Sequence, residues 1–168
     1  MFFNSMKAII LAAGGEGLRC RPLTLTRSKV MLPVANRPIL EHVISSLEKN
    51  EIKEIILVVG YEKERIMNYF EDGLNFGVNI SYVEQKAQLG TAHAIEQAKK
   101  LIGPEDSEFL VLNGGDNLVE PKTIADLLNN YEGDASLLTV RMEDTAGYGV
   151  VLKEKKKVTQ ILEKRPGA

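Results

Sequence analysis

From Leu11 the chain reads L-A-A-G-G-E-G-L-R-C-R-P-L-T, and S-K-V-M-L-P-V follows from Ser28. Gly14, Gly15 and Gly17 therefore stand directly ahead of Arg19 and Arg21, with Lys29 a short way on. Glycines let a backbone turn sharply and bring its N–H groups close to phosphate oxygens, because no side chain stands between them. Fixed cations in the same segment add neutralising charge. Phosphoryl and nucleotidyl transfer ask little covalent chemistry of a protein and depend on positioning and on stabilising the charge of the departing pyrophosphate. The pattern thus predicts a polyphosphate cradle. Two rival glycine motifs fail on identity. A P-loop needs Lys and then Ser or Thr after its last glycine, where this chain has Leu18-Arg19 after Gly17. A dinucleotide fingerprint starting at Gly15 needs glycine where Cys20 stands, which argues against an oxidoreductase binding NAD(P).

Four further places carry chemistry. Gln85 opens Q-K-A-Q-L-G-T-A-H-A, and glutamine offers donor and acceptor together, which suits the edge of a uracil or thymine. In the same run Thr91 reads as the N-cap of a helix and His93 as a structural histidine in its first turn. Asp116 follows L-V-L-N-G-G at the end of an apolar stretch, where a carboxylate has no packing role and is free to bind a hard cation. Near the end come Gly149 in Y-G-V-V and the pair Glu163-Lys164, which in isolation reads as a solvated surface pair.

These residues sit at the ends of predicted strands. Lys7 to Ala13 and Glu54 to Val59 are short apolar runs that suit buried parallel strands; Val78 to Val83 alternates, and Glu108 to Leu112 is apolar again. Between them Ile39, Leu40, Val43, Ile44 and Leu47 recur at helical spacing, and Lys63 to Phe70, Thr91 to Leu101 and Pro121 to Asn130 read as helices. Ala135 to Val140, Gly149 to Leu152 and Val158 to Leu162 read as later strands, while Gly14 to about Asn36 is a long loop. Alternation of strand and helix implies an α/β fold: a Rossmann-like, doubly wound, mostly parallel sheet with helices on both faces. Ligands of such sheets gather beyond the carboxyl ends of the strands, where the Gly14, Gln85 and Asn113 loops all fall.

A length of 168 residues suits one domain over 1–168. An apolar fraction of 44% with 26% charged residues is that of a globular protein, and a net charge of -2 gives no overall pull toward nucleic acid. Cys20 is the sole cysteine, so no intrachain disulfide forms, and two histidines build no structural zinc site; a cytoplasmic setting is expected. Residues 1–5 are too few for a signal peptide, no apolar run reaches membrane-spanning length, and Met6 is a candidate start.

Taken together, the first segment resembles the signature of the sugar-1-phosphate nucleotidyltransferase (NDP-sugar pyrophosphorylase) family, L-A-A-G-x-G-x-R-x-x-P-L-T followed by P-K-x-M-L-P-V. The resemblance implies the nucleotide-diphospho-sugar transferase fold and transfer of a nucleotidyl group from UTP or dTTP to a hexose 1-phosphate. It implies nucleotide-binding roles for Leu11, Ala13, Gly14, Gly15 and Gly17, with Arg19 and Lys29 catalytic at the phosphates. Gln85, Gly90 and Thr91 correspond to the base-reading segment, and Asp116 to the catalytic aspartate that binds Mg2+. Gly149, Glu163 and Lys164 match the sugar-phosphate-binding pieces Y-G-V and E-K-P. Neither uracil against thymine nor the identity of the sugar is implied.

The sequence also departs from that pattern. Ser28 replaces a proline, and Leu11–Arg19, Asn113–Asp116 and Glu163–Pro166 are each one residue longer than the family form. Loops absorb such insertions, but displacing a catalytic group by about 1 Å costs on the order of a hundredfold in rate. The match covers the front part of a family domain, so the expectation is a domain truncated at its C-terminus, weakly active or inactive, with an uncovered apolar face that leaves homo-oligomerisation open. The alternative is a non-catalytic sugar-nucleotide-binding or regulatory domain of the same fold.

Overall fold

The computed structural model describes residues 6–14, 17–104, 106, 108–115, 118–145, 148–155 and 157–162. The Lys7–Leu11 run forms β1, followed by a small hairpin of β2 (Pro33–Val34) and β3 (Arg37–Pro38), α1 (Ile39–Glu48) and β4 (Glu54–Val59). Then come α2 (Lys63–Phe70), β5 (Asn79–Glu84), α3 (Thr91–Gln97), β6 (Phe109–Asn113), α4 (Pro121–Asn129), β7 (Val150–Glu154) and β8 (Lys157–Leu162). The chain divides into two compact units, Met1–Asp126 and Leu127–Ala168.

The first unit holds a four-stranded sheet in the order β5-β4-β1-β6, parallel throughout. Strands buried on both faces need no alternation, and Ile55 to Val59 of β4 are buried without a break. Successive residues of β1 point to opposite faces. Ile9 packs with Ile56, Val58, Ala94 and Ala98 under α3, with Leu11 and Val83 against the same cluster. Ile10 and Leu40 meet on the other side, where both lie against Gly114, so α1 covers that face. The helical spacing of Leu40, Val43, Ile44 and Leu47 puts four apolar side chains on one stripe, all fully buried. Each contributes about 1.5–3 kcal/mol of transfer free energy before the entropy of ordering is set against it. Helices on both faces of a parallel sheet make this the doubly wound architecture that the alternation predicts.

Between β1 and α1 the long loop is more ordered than its polar composition suggests. It contains 3-10 turns at Leu18–Cys20 and Lys29–Met31 and then the hairpin. Ala35 and Asn36 both have positive φ, 49° and 64°, as a two-residue hairpin turn matching strand twist requires.

Three sequence expectations are corrected. Thr91 to Leu101 is α-helical only to Gln97 and continues as a 3-10 turn over Ala98–Leu101. Thr91 is the first helical residue rather than the cap; Gly90 occupies the cap position, and no side chain caps this helix. Ala135 to Val140 forms no strand: Leu137, Leu138 and Val140 are exposed, and among the described residues this segment has no ladder partner. In the second unit β7 and β8 form an antiparallel hairpin with an irregularity between Leu152 and Lys153.

Candidate functional site

After β1 the chain runs to β4 and β5 on one side and returns through β6 on the other, so strand order reverses between β1 and β6. A crevice beyond the carboxyl ends of the strands at such a point is where open α/β sheets bind ligands. Here the strand ends are level: Leu11 pairs with Val58 and with Asn113, and Val59 with Glu84. The ladder continues one step past each end, with Ala12 N–H donating to Val58 at 2.8 Å, Gly114 N–H to Leu11 at 3.0 Å and Gln85 N–H to Val59 at 2.9 Å. The three loops singled out in the sequence thus leave the sheet side by side.

Glycines permit the close approaches that follow. A Cβ on Gly60 would lie 3.1 Å from the Ala13 carbonyl oxygen, so β4 and β1 exit almost backbone to backbone. Gly17, at φ 59°, packs its Cα hydrogens against Thr24 and the Cβ of Lys29, and the buried Thr24 hydroxyl donates to the Gly17 carbonyl at 2.9 Å. Farther along the same side chain, a Cβ on Gly115 would lie 3.2 Å from Cε of Lys29, and 2.9 Å from Cγ1 of Val30. The Lys29 stem is therefore held between the loop that follows β1 and the loop that follows β6. Ser28, at the position where the family signature carries proline, is buried and extended at φ -61°.

The β5 loop has its own lock. Gln85 is only 6% exposed, against the surface glutamine that composition alone suggests. Its Nε2 donates to the Gly90 carbonyl at 3.1 Å and lies 3.0 Å from Nδ1 of His93. Gln88 Nε2 reaches the Ala13 carbonyl at 3.5 Å, the outer limit of a hydrogen bond. One residue before Gln85, the Glu84 carboxylate is bridged by Lys63 at 2.8 Å; that hydrogen bond holds Glu84 below its ordinary pKa and Lys63 above its own.

The sequence-predicted residues fall into three groups. Ala13, Gly14, Gly17, Lys29, Gln85 and Gly90 lie on the loops just described, Leu11 ends β1 and Thr91 opens α3 beside them, and Arg19 is exposed on the Leu18–Cys20 turn. Gly149 belongs to the second unit, directly before β7. Gly15, Asp116, Glu163 and Lys164 lie outside the described residues. Sequence reasoning missed the parts of Thr24 and His93: the threonine was in view within P-L-T, while the histidine read as structural gave no sign of its contact with Gln85.

Parallel strands, crossover helices on both faces and loops converging at the switch point define a Rossmann-like doubly wound domain. More narrowly, the chain belongs to the nucleotidyl transferase family, whose profile matches residues 7–166. It is 42% identical over 160 residues to the bifunctional protein GlmU of Methanococcus maripaludis, covering 95% of this chain and 36% of that protein. Its fold is similar to that of a Bacillus anthracis protein described as a glucose-1-phosphate thymidylyltransferase and solved with sucrose, at a TM-score of 0.76 and 26% identity, over 96% of this chain and 65% of that one. A UDP-glucose pyrophosphorylase complexed with UDP-glucose is similar at a TM-score of 0.71 and 26% identity, over 95% of this chain and 69% of that one. The chain thus spans about a third of the length of the GlmU relative. Among the described residues no helix is long and apolar enough to cross a membrane.

Proposed function

We propose that residues 1–168 act as one domain, the nucleotide-binding part of a cytoplasmic sugar-1-phosphate nucleotidyltransferase, with UTP or dTTP as donor and a hexose 1-phosphate as acceptor. The observation that carries this reading is the clamping of Lys29 between Gly17 and Gly115, at the point where strand order reverses. A lysine stem that passes close to two backbone segments supports this reading, since it narrows the positions its ammonium can take, and stabilisation of a departing pyrophosphate requires a preset charge.

In the reaction, an oxygen of the sugar 1-phosphate attacks the α-phosphorus of the nucleotide; that O–P bond forms as the bond to the bridging oxygen of pyrophosphate breaks. The nucleophile is already ionised, so no general base is needed. Backbone N–H groups from Gly14 to Gly17 hold the phosphates, Lys29 and Arg19 neutralise the leaving group, and Gln85 with Gly90 and Thr91 faces the base. Gly149, Glu163 and Lys164 take the sugar phosphate. Asp116 would hold Mg2+, which binds through one or two carboxylates plus substrate phosphates, and what supports this is its place in the sequence directly after Gly115, at the end of the β6 loop. When bound, Mg2+ supplies Lewis-acid stabilisation of phosphoryl oxygens.

A second reading is a non-catalytic sugar-nucleotide-binding domain, favoured by the added residue between Leu11 and Arg19 and by the exposure of Arg19. Calorimetric titration with UTP and dTTP, with and without Mg2+, tests binding, and a pyrophosphate-release assay with hexose 1-phosphates separates the two readings. Binding with release supports the enzyme, and binding without release supports the second reading. No binding of either nucleotide refutes both.

A further inference from the structure

We infer that His93 is the positioning residue that turns Gln85 into an acceptor-only reader of the base, so that the site takes a ring N–H donor, as in uracil or thymine, and rejects cytosine. The inference rests on the nucleotide reading above and adds to it a residue and a rule of selection.

A free glutamine amide rotates, and each rotamer presents a different edge: NH2 as donor or C=O as acceptor. Such a residue does not discriminate uracil, whose N3 carries a proton, from cytosine, whose N3 carries a lone pair. Gln85 is not free. The Gly90 carbonyl has only lone pairs to offer, so the Gln85 atom 3.1 Å from it must be the NH2 nitrogen, which settles the orientation of the amide without reference to any ligand. The second NH2 proton points to His93 Nδ1 at 3.0 Å. Both donors are then committed to the protein.

That contact in turn settles the imidazole. For Nδ1 to accept, the ring proton must sit on Nε2. The Gln97 NH2 lies 3.2 Å from Nε2 and donates to the His93 carbonyl at 3.0 Å; a proton on Nε2 therefore requires the half-buried Gln97 side chain to give way, which it has room to do and the 6%-exposed Gln85 does not. The tautomer therefore follows Gln85. What remains of Gln85 is Oε1. Among the described residues no protein group bonds it, and no buried polar side-chain atom is left without a partner, so this oxygen is the part of the side chain that reaches the surface. A surface acceptor held rigidly at the carboxyl end of β5 pairs with an N3–H and repels an N3 lone pair. Selection by a polar group that cannot reorient is strong, because the wrong ligand leaves that group unpaired.

The test uses the 168-residue chain. Imidazole 15N shifts of His93 report its tautomer, and titrations compare UTP with CTP and with N3-methyl-UTP, which lacks the donor but keeps the C4 carbonyl. The expected result is a proton on Nε2 and preference for UTP over both competitors. His93→Phe, which keeps the ring and removes the acceptor, should lower the UTP-to-CTP ratio by about fivefold, the net worth of one hydrogen bond. His93→Asn, whose Oδ1 can accept near the position of Nδ1, should restore it. A general loss of structure would weaken all three nucleotides alike and leave the ratio unmoved. A proton on Nδ1 in the unaltered chain, or an unchanged ratio in a His93→Phe variant that still binds UTP as tightly as the parent, overturns the inference while nucleotide binding stands. Failure of the unaltered chain to bind UTP removes the nucleotide reading and this inference with it.

Discussion

Replacing Gly115 by alanine should damage stability and nucleotide affinity together, through one added methyl group. Its Cβ would stand 2.9 Å from Cγ1 of Val30, 3.2 Å from Cε of Lys29 and 3.5 Å from Cα of Val30. Carbon atoms pack best at about 3.5–4.0 Å, so something has to move. Val30 is 4% exposed and cannot swing into solvent, whereas the Lys29 stem can. Overpacking of this kind costs about 1–3 kcal/mol, which in a chain of this length lowers the melting temperature by about 2–12 °C. If Lys29 acts at the phosphates as proposed, displacing its ammonium removes a charge-assisted contact, and UTP affinity should fall about tenfold or more. Gly14→Ala is the comparison, because a Cβ there meets nothing within 4 Å. That variant's stability should stay within about 0.5 kcal/mol of the parent's. Calorimetric melting and UTP titration of both variants make the measurement. Should Gly115→Ala melt with the parent, or lose stability while binding UTP unchanged, Lys29 is not held where the argument requires it.

Three other outcomes are expected. Gly90 has φ 98° and ψ -179°, a region open essentially to glycine alone, so Gly90→Ala should cost about 1–3 kcal/mol in urea melts and shift the Gln85 side-chain amide resonances. A cost below about 0.5 kcal/mol would contradict this, since steric crowding plays no part at that position. Lys7 donates to Asp106 at 2.6 Å and the Gly103 N–H adds a second bond at 2.7 Å, which together hold that carboxyl below its ordinary value of 3.8. The resulting stability is present above pH 3.8 and lost as pH falls through the lower folded value, so Asp106→Asn should flatten the acid limb of a stability-against-pH curve, and an unchanged limb would speak against the bond. Ser28 already has φ -61°, the angle proline imposes, so Ser28→Pro should raise stability by about 0.4–1 kcal/mol through the unfolded chain; a lower melting temperature would disprove the fit.

Much of the fold was legible because its signals are local. Apolar runs of strand length at Lys7 and Glu54 and the helical stripe from Leu40 to Leu47 need no knowledge of distant residues, and they became β1, β4 and α1. Ala135 to Val140 has strand composition, yet a strand exists only with a partner, and composition carries no information about partners. Thr91 failed as a cap because Gly90, through a backbone conformation that threonine resists, took the cap position one residue earlier. In the candidate site, the glycine and cation types were readable, whereas the contact of Gly115 with Lys29 joins distant parts of the chain and the burial of Gln85 depends on a carbonyl and a ring nitrogen that local sequence cannot orient.

The central place of β1 bears on how the molecule would respond in hydrogen exchange. Its N–H groups donate alternately to β4 and β6, so freeing the strand as a whole requires both ladders to separate, and its amides should be among the last to exchange in the unit. A few residues along the same backbone, Gly14 belongs to no ladder and should exchange early. A steep gradient of protection should therefore fall at the mouth of the crevice. A ligand seated there would slow amides whose neighbours are already slow, extending the protected core outward along a single strand.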